Sequence, residues 1–143
     1  MTIQFIRKHQ KWVVSAAIVL TVAGIFVART AFARITFNTI DPVGILADNG
    51  RHVTVAGPIS CDAGDRVELR VTVTQRSTGA VAEGIAFLTG TGQTNQWEVT
   101  AVVEGRAGFE PGPATAVAMA RSTVNGHATD AHQWLVNLTL VQE

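Results

Sequence analysis

The chain has 143 residues, of which 47% are hydrophobic and 15% are charged, and this length fits one domain and a targeting segment. Its net charge of zero is unevenly distributed: residues 1–33 hold four basic residues and no acid, whereas residues 34–143 hold seven arginines and eleven acids, a net charge of −4. A domain that binds nucleic acid concentrates cations on its folded part, so nucleic acid is not expected as a partner.

The first predicted element is an apolar segment at residues 12–28, whose seventeen residues include no charge. As a helix it would be about 26 Å long, slightly shorter than a hydrocarbon core of about 30 Å. Arg7, Lys8 and Lys11 precede it, and basic flanks stay in the cytoplasm. The sequence therefore predicts that residues 34–143 lie on the periplasmic or extracellular side of the cytoplasmic membrane.

The segment has two interpretations. It is either an uncleaved single-pass anchor, with membrane contact through residues 12–33, or a signal peptide cleaved after Ala33, where Ala31-Phe32-Ala33 fits an A-x-A site. The apolar run exceeds the usual signal-peptide core of about 7–15 residues, and Arg29 interrupts the approach to the cleavage site. We favour the anchor, with domains at residues 1–33 and 34–143, and keep a secreted protein as the alternative.

Residues 34–143 alternate between polar and apolar side chains in the period of a β-strand. Turn residues such as Asn125-Gly126 separate the alternating runs. Seven strands are predicted, at residues 34–40, 52–56, 66–74, 80–87, 96–104, 114–123 and 132–141. A period of two with one polar face indicates antiparallel sheet with one side on a core, so the pattern predicts an all-β, immunoglobulin-like antiparallel β-sandwich.

The predicted core contains rows of valine and leucine together with four aromatic side chains, Phe37, Phe87, Trp97 and Trp134. Trp97 and Trp134 alternate in step with apolar neighbours, which favours burial over a stacking platform for sugar rings. Phe109 lies in a loop rich in glycine and proline and is the one aromatic side chain predicted to be exposed.

Several short motifs between residues 57 and 141 resemble those of uncharacterised secreted bacterial β-sandwich proteins. They are Val73-Thr74-Gln75, Gly79-Ala80, Gln96-Trp97-Glu98-Val99, residues 109–114 (FEPGPA) and residues 130–134 (DAHQW). The resemblance implies an immunoglobulin-like domain outside the cytoplasm, without catalytic activity. Some of those proteins carry paired cysteines where this chain has only Cys61, so no disulfide is carried over.

Two imidazoles and a carboxylate lie close together near the last predicted strand, at His127, Asp130 and His132. Such groups bind zinc or copper, and Asp130 and His132 would share one face of a strand, although His127 would need the loop to curl back. A polar loop is the simpler interpretation, and these three residues are weak metal candidates only. No cofactor and no small-molecule ligand is identified.

The sequence does not predict an enzyme. No serine stands in a nucleophile motif, there is no phosphate-binding glycine loop, and no lysine follows Lys11. Cys61 lies between Ser60 and Asp62, and its simplest interpretation is a buried thiol, with an intermolecular disulfide and a reactive thiol as the alternatives.

The predicted function is that of a membrane-anchored accessory or scaffolding subunit of a larger membrane protein complex, respiratory and photosynthetic complexes being plausible hosts. An accessory subunit needs an apolar outward surface. Val102, Leu135 and Val141 are apolar side chains on otherwise polar strand faces, and with Phe109 they are the predicted partner-binding residues. One alternative is a secreted or periplasmic binding module that acts alone, and another is a small metal-binding protein that uses His127 and His132.

Overall fold

The computed structural model describes residues 34–143, and 72% of them lie in β-strands, which confirms the all-β class. A short 3₁₀ turn at Asp48–Gly50 separates the second strand from the third. The strands are β1 (Ile35–Asn38), β2 (Val43–Ala47), β3 (His52–Cys61), β4 (Arg66–Gln75), β5 (Ala80–Thr89), β6 (Thr94–Glu104), β7 (Gly112–Val124) and β8 (His127–Gln142).

The predicted membrane segment, residues 12–33, lies outside the described residues. Within residues 34–143 no helix has the length and hydropathy needed to cross a membrane.

The strands form one sheet that closes on itself into a seven-stranded barrel. Along the sheet the order is β3-β2-β8-β7-β4-β5-β6, and β6 pairs again with β3 from His52↔Val102 to Ser60↔Thr94. β1 pairs with β3 beyond the end of β2, and every pairing is antiparallel except that between β2 and β8. The predicted immunoglobulin-like sandwich is therefore wrong, because the apolar face of the sheet folds onto itself and not onto a second sheet.

The core fills the inside of the barrel with the inward row of each strand. β4 contributes valines and a leucine, β6 contributes Trp97 at 1% exposure, and the inward row of β7 is made of small residues only. Trp134 on β8 pairs with Ala118 on β7, which places a large side chain next to a small one, as in other small closed sheets. The predicted burial of Trp97 is confirmed, while Trp134 is only partly buried.

Two phenylalanines that the sequence places in the core are exposed, and each has a local cause. Phe87 pairs with Glu68 on the outward phase of β5 and is 77% exposed, since Leu88 occupies the inward phase. Phe37 follows a bulge in the pairing of β1 with β3, which turns its side chain outward although Ile35, two residues earlier, is buried. The prediction that Phe37 and Phe87 belong to the core is wrong.

The hairpin between β7 and β8 is the longest in the fold, and its turn is the predicted one. Asn125 and Gly126 both have positive φ, 50° and 80°, and they connect the paired residues Val124 and His127. A two-residue turn of this type matches the right-handed twist of the flanking strands. This turn and its long ladder position the first half of β8, which carries Asp130 and His132.

Candidate interaction surface

An apolar surface lies on the outside of the barrel on two pairs of neighbouring strands, β7 with β8 and β5 with β6, which flank β4. Ile85, Val102, Met119 and Leu135 are 50%, 52%, 44% and 61% exposed, and the half-buried Val117 lies among them. The register places Val117 beside Leu135, whereas Arg70 of β4 stands between Ile85 and Met119. We call these five apolar residues the outer apolar surface.

Four of these side chains line a groove of about 670 Å³ on the outside of the sheet. Charged and polar groups also border it, among them Arg70 and Glu83. Arg70 Nε donates to Glu68 Oε1 at 2.6 Å, and Thr72 donates to Glu83 Oε1 at 3.4 Å. An apolar floor between groups of both charges is suited to holding an apolar side chain of a partner while polar atoms pair at its rim.

The residues predicted to bind a partner separate into three groups. Val102 and Leu135 belong to the outer apolar surface. Val141 is 37% exposed, but it pairs with Ile45 of β2 and lies apart from the groove.

Phe109 is buried, so the prediction that it is exposed for a partner is wrong. Its backbone N–H donates to the carbonyl oxygen of Gly50 at 3.0 Å. Gly50 has φ +76°, and a Cβ atom there would lie 2.0 Å from the carbonyl oxygen of Phe109. The close approach of the two backbones draws the loop onto the barrel, which the composition of the loop does not reveal.

Ile85, Val117 and Met119 were not predicted. On β6 and β8 isolated apolar residues stand out on a polar phase, whereas β5 and β7 are largely apolar on both phases, as in residues 113–120 (PATAVAMA). Alternation alone cannot tell the outward row from the inward row in such strands. The register with β4, whose polar row is clear, would have identified them.

Asp130 and His132 do share a face of β8, and they contact each other. His132 Nε2 lies 3.2 Å from Asp130 Oδ2, and His132 Nδ1 lies 3.4 Å from Asn38 Nδ2. In the neutral form of the ring, these contacts fit a proton on Nε2, with Nδ1 accepting from the amide of Asn38. Both ring nitrogens are therefore engaged, and a metal ion would have to displace one of these contacts.

His127 does not join this pair. It pairs with Val124 at the exposed hairpin turn, and within residues 34–143 no group of three or more His, Cys, Asp or Glu side chains is arranged to hold a metal ion. Of the three metal candidates, the structure brings together Asp130 and His132 alone.

Comparison with known proteins adds no assignment. No protein-family model and no curated protein matches this sequence. The resemblance to secreted bacterial proteins stays a prediction, and the sandwich that it implies is not the fold observed.

Cys61 ends β3 and is buried at 3% exposure as a free thiol, which confirms the simpler interpretation. Burial raises the pKa of this thiol, and the carboxylates of Asp65 and Asp62 raise it further. Both effects keep the sulfur in its less reactive protonated form.

Cys61 should react with a colorimetric disulfide reagent on the order of 100-fold more slowly in the native protein than in denaturant, because the thiol is buried and protonated. The chain has one cysteine, so the denatured sample should give one thiol per chain and acts as the internal reference. Equal rates in the two samples would contradict this prediction.

Proposed function

We propose that this protein is a non-catalytic, membrane-anchored accessory or scaffolding subunit that binds a larger membrane protein complex outside the cytoplasm. The outer apolar surface carries the proposal. Clustered exposed apolar groups on a domain surface mark an interaction site, and the four most exposed members of this surface stand on the two pairs of strands that flank β4.

The position of the surface supports a partner over a role in folding. The inside of the barrel is filled by its own buried cluster, and the outer apolar surface points away from it. Leu135 and Val102 occupy phases where neighbouring residues on the same strands are polar, so neither side chain is needed for the core. Burial against a partner would release water from both side chains, at about 25 cal/mol for each Å² of apolar surface.

The sequence before the barrel supports a partner in the membrane. Residues 12–28 are long and apolar, and the basic residues before them direct the barrel to the outer side. A tether of this kind raises the effective concentration of the barrel near other membrane subunits, so a surface of modest size can maintain an association. The same anchor would be of little use to a secreted binding module.

Val102→Glu should abolish co-purification of the full-length protein with its membrane complex, because a carboxylate would be buried in the contact. Val43→Glu is the matched control. Val43 is also an exposed valine on the outside of the barrel, at 46% against 52% for Val102, and it lies on β2 away from the groove. The readout is the set of subunits that co-purify after detergent solubilisation, with melting temperatures showing that both variants fold.

Two results would contradict the proposal. Equal co-purification of both variants would show that the outer apolar surface is not the contact. An intact mass that begins at Arg34 would show that the N-terminal segment is removed, which favours the secreted binding module. Retention in the membrane after a carbonate wash, with residues 1–33 present in the intact mass, is the expected result.

A further inference from the structure

The wall of the barrel has a place where two neighbouring strands lack a backbone ladder. β8 pairs with β7 along almost its whole length, but on its other side it pairs with β2 only from Val43↔Thr139 to Leu46↔Gln142. β1 lies beside the first half of β8, and within the described residues no backbone register joins them. The backbone pairing of β1 is with β3 alone, through three residues.

Side chains of β8 take the place of the missing ladder. Asp130 Oδ2 accepts a hydrogen bond from the backbone N–H of Ile35 at 2.9 Å, and the same oxygen contacts His132 Nε2 at 3.2 Å. His132 Nδ1 in turn lies 3.4 Å from Asn38 Nδ2. Asp130 and His132 of β8 thus contact the first and the last residue of β1. We call the side chains of Asp130, His132 and Asn38 the clasp.

The local sequence explains why the clasp lies on this face. Asp130 and His132 pair with Ser122 and Ala120, whose short inward side chains leave room for a carboxylate and an imidazole. Ile35 is 1% exposed, so the hydrogen bond from its N–H to Asp130 lies in the interior, where the loss of an acceptor is costly. Asp130 thus adds a side-chain acceptor to the backbone at the start of β1.

We propose that β1 is a detachable strand that the clasp of Asp130, His132 and Asn38 locks into the barrel, and that loss of the Asp130 charge lets β1 open while the other strands stay folded. The consequence is local, because β4 and β7 are paired on both sides along nearly their full lengths. Opening of β1 removes the residue that covers Cys61, since Ile35 pairs directly with it.

The charges around Asp130 set the direction of the pH dependence. His132 faces Asp130 from β8, and the protonated thiol of Cys61 faces β1 from β3. Two arginines are also near: Arg121 of β7 pairs with Ala131 on the outward phase, and Arg34 precedes β1 on the surface. Burial is the largest single influence and raises the pKa of Asp130. The hydrogen bond from Ile35, the charge of His132 and the hydrogen bonds from Ala131 and His132 outweigh it, and the net pKa is lowered.

A lowered pKa means that the folded barrel favours the charged carboxylate. The contribution of Asp130 is therefore fully present above the ordinary aspartate pKa of about 3.9 and is lost as the pH falls through the lower, folded value. β1 should therefore stay closed at neutral pH and open progressively as the pH falls below the ordinary aspartate pKa of about 3.9.

Amide hydrogen exchange of the full-length protein tests the clasp. At pH 7, Asp130→Asn should accelerate exchange at residues 35–38 by about 10- to 100-fold, with β4 and β7 unchanged. Asp48→Asn is the matched control, because it breaks the other Asp–His contact found within residues 34–143, the 3.3 Å pair with His52, away from β1. It should leave exchange at residues 35–38 as in the wild type.

Acidification adds an independent measurement. After correction for the intrinsic pH dependence of exchange, lowering the pH from 7 to below the ordinary aspartate pKa of about 3.9 should accelerate exchange at residues 35–38 more in the wild type than in Asp130→Asn, which has no carboxylate to protonate at this position. Unchanged exchange at residues 35–38 in Asp130→Asn would overturn the clasp. Equal acceleration in β1, β4 and β7 would overturn the detachable strand, because Asp130 would then support the whole barrel.

Discussion

Replacing Trp97 with alanine should lower the free energy of unfolding by about 3–5 kcal/mol, a large part of the stability of a small domain. Trp97 is the largest fully buried side chain, at 1% exposure, and it points into the barrel in the same row as Val99 and Ala101. The closed wall cannot collapse easily around the lost volume, because β6 is held by β3 along nine register positions. A cavity would remain, and its cost adds to the lost burial.

Trp97→Phe is the control that separates volume from hydrogen bonding. The indole Nε1 of Trp97 is buried and has no hydrogen-bond partner within residues 34–143, so phenylalanine removes an unsatisfied donor and keeps most of the apolar volume. We expect it to cost less than about half as much as alanine. Urea denaturation followed by circular dichroism measures both variants. A loss below about 1 kcal/mol for Trp97→Ala would show that this position does not support the core.

The alternation of residues 34–143 predicts seven of the eight strands, and it predicts the inward row where one phase of a strand is polar, but not the closure of the sheet. A sandwich and a barrel both bury one face of every strand, so the same pattern serves either fold. Closure depends on β3 pairing with β6 and on β2 pairing with β8, and both pairings join residues far apart in sequence. β2 itself was not predicted, because its five residues, VGILA, show no polar phase.

The candidate site was predictable only where an apolar residue interrupts a polar row. Val102 and Leu135 each interrupt a polar row. Ile85 and Met119 do not stand out in the sequence, because their strands are largely apolar on both phases. Burial of Phe109 depends on the backbone of Gly50, more than fifty residues away in the chain. The contact between Asp130 and His132 follows from the strand period. Their contacts with Ile35 and Asn38 of β1 depend on the three-dimensional arrangement and could not be predicted from the sequence.

Gln75 ends β4, and its side chain lies inside the barrel. Among the largest fully buried side chains of residues 34–143 it is the one amide. Its Nε2 donates to the carbonyl oxygens of Glu110 and Pro113 at 2.8 and 3.4 Å. Its Oε1 accepts from the backbone N–H of Glu110 at 2.9 Å and from Thr78 Oγ1 at 3.2 Å. One side chain thereby joins the end of β4, the turn after it and the loop before β7.

Gln75→Leu should lower the free energy of unfolding by about 2–4 kcal/mol, even though leucine has a similar size and is more hydrophobic. The loss arises because the N–H of Glu110 loses its acceptor in the interior and the two carbonyl oxygens lose their donor. Gln93→Leu is the control: this glutamine is exposed, so its replacement should change stability by less than about 0.5 kcal/mol. Urea denaturation of both variants gives the comparison.

If Gln75→Leu were as stable as the wild type, the loop before β7 would be held by its apolar contacts and not by the amide. Hydrogen exchange at the Glu110 amide should be faster in Gln75→Leu, while exchange in β3 is unchanged. This result would show that the lost stability arises where the Gln75 side chain bonds to the backbone of the loop before β7.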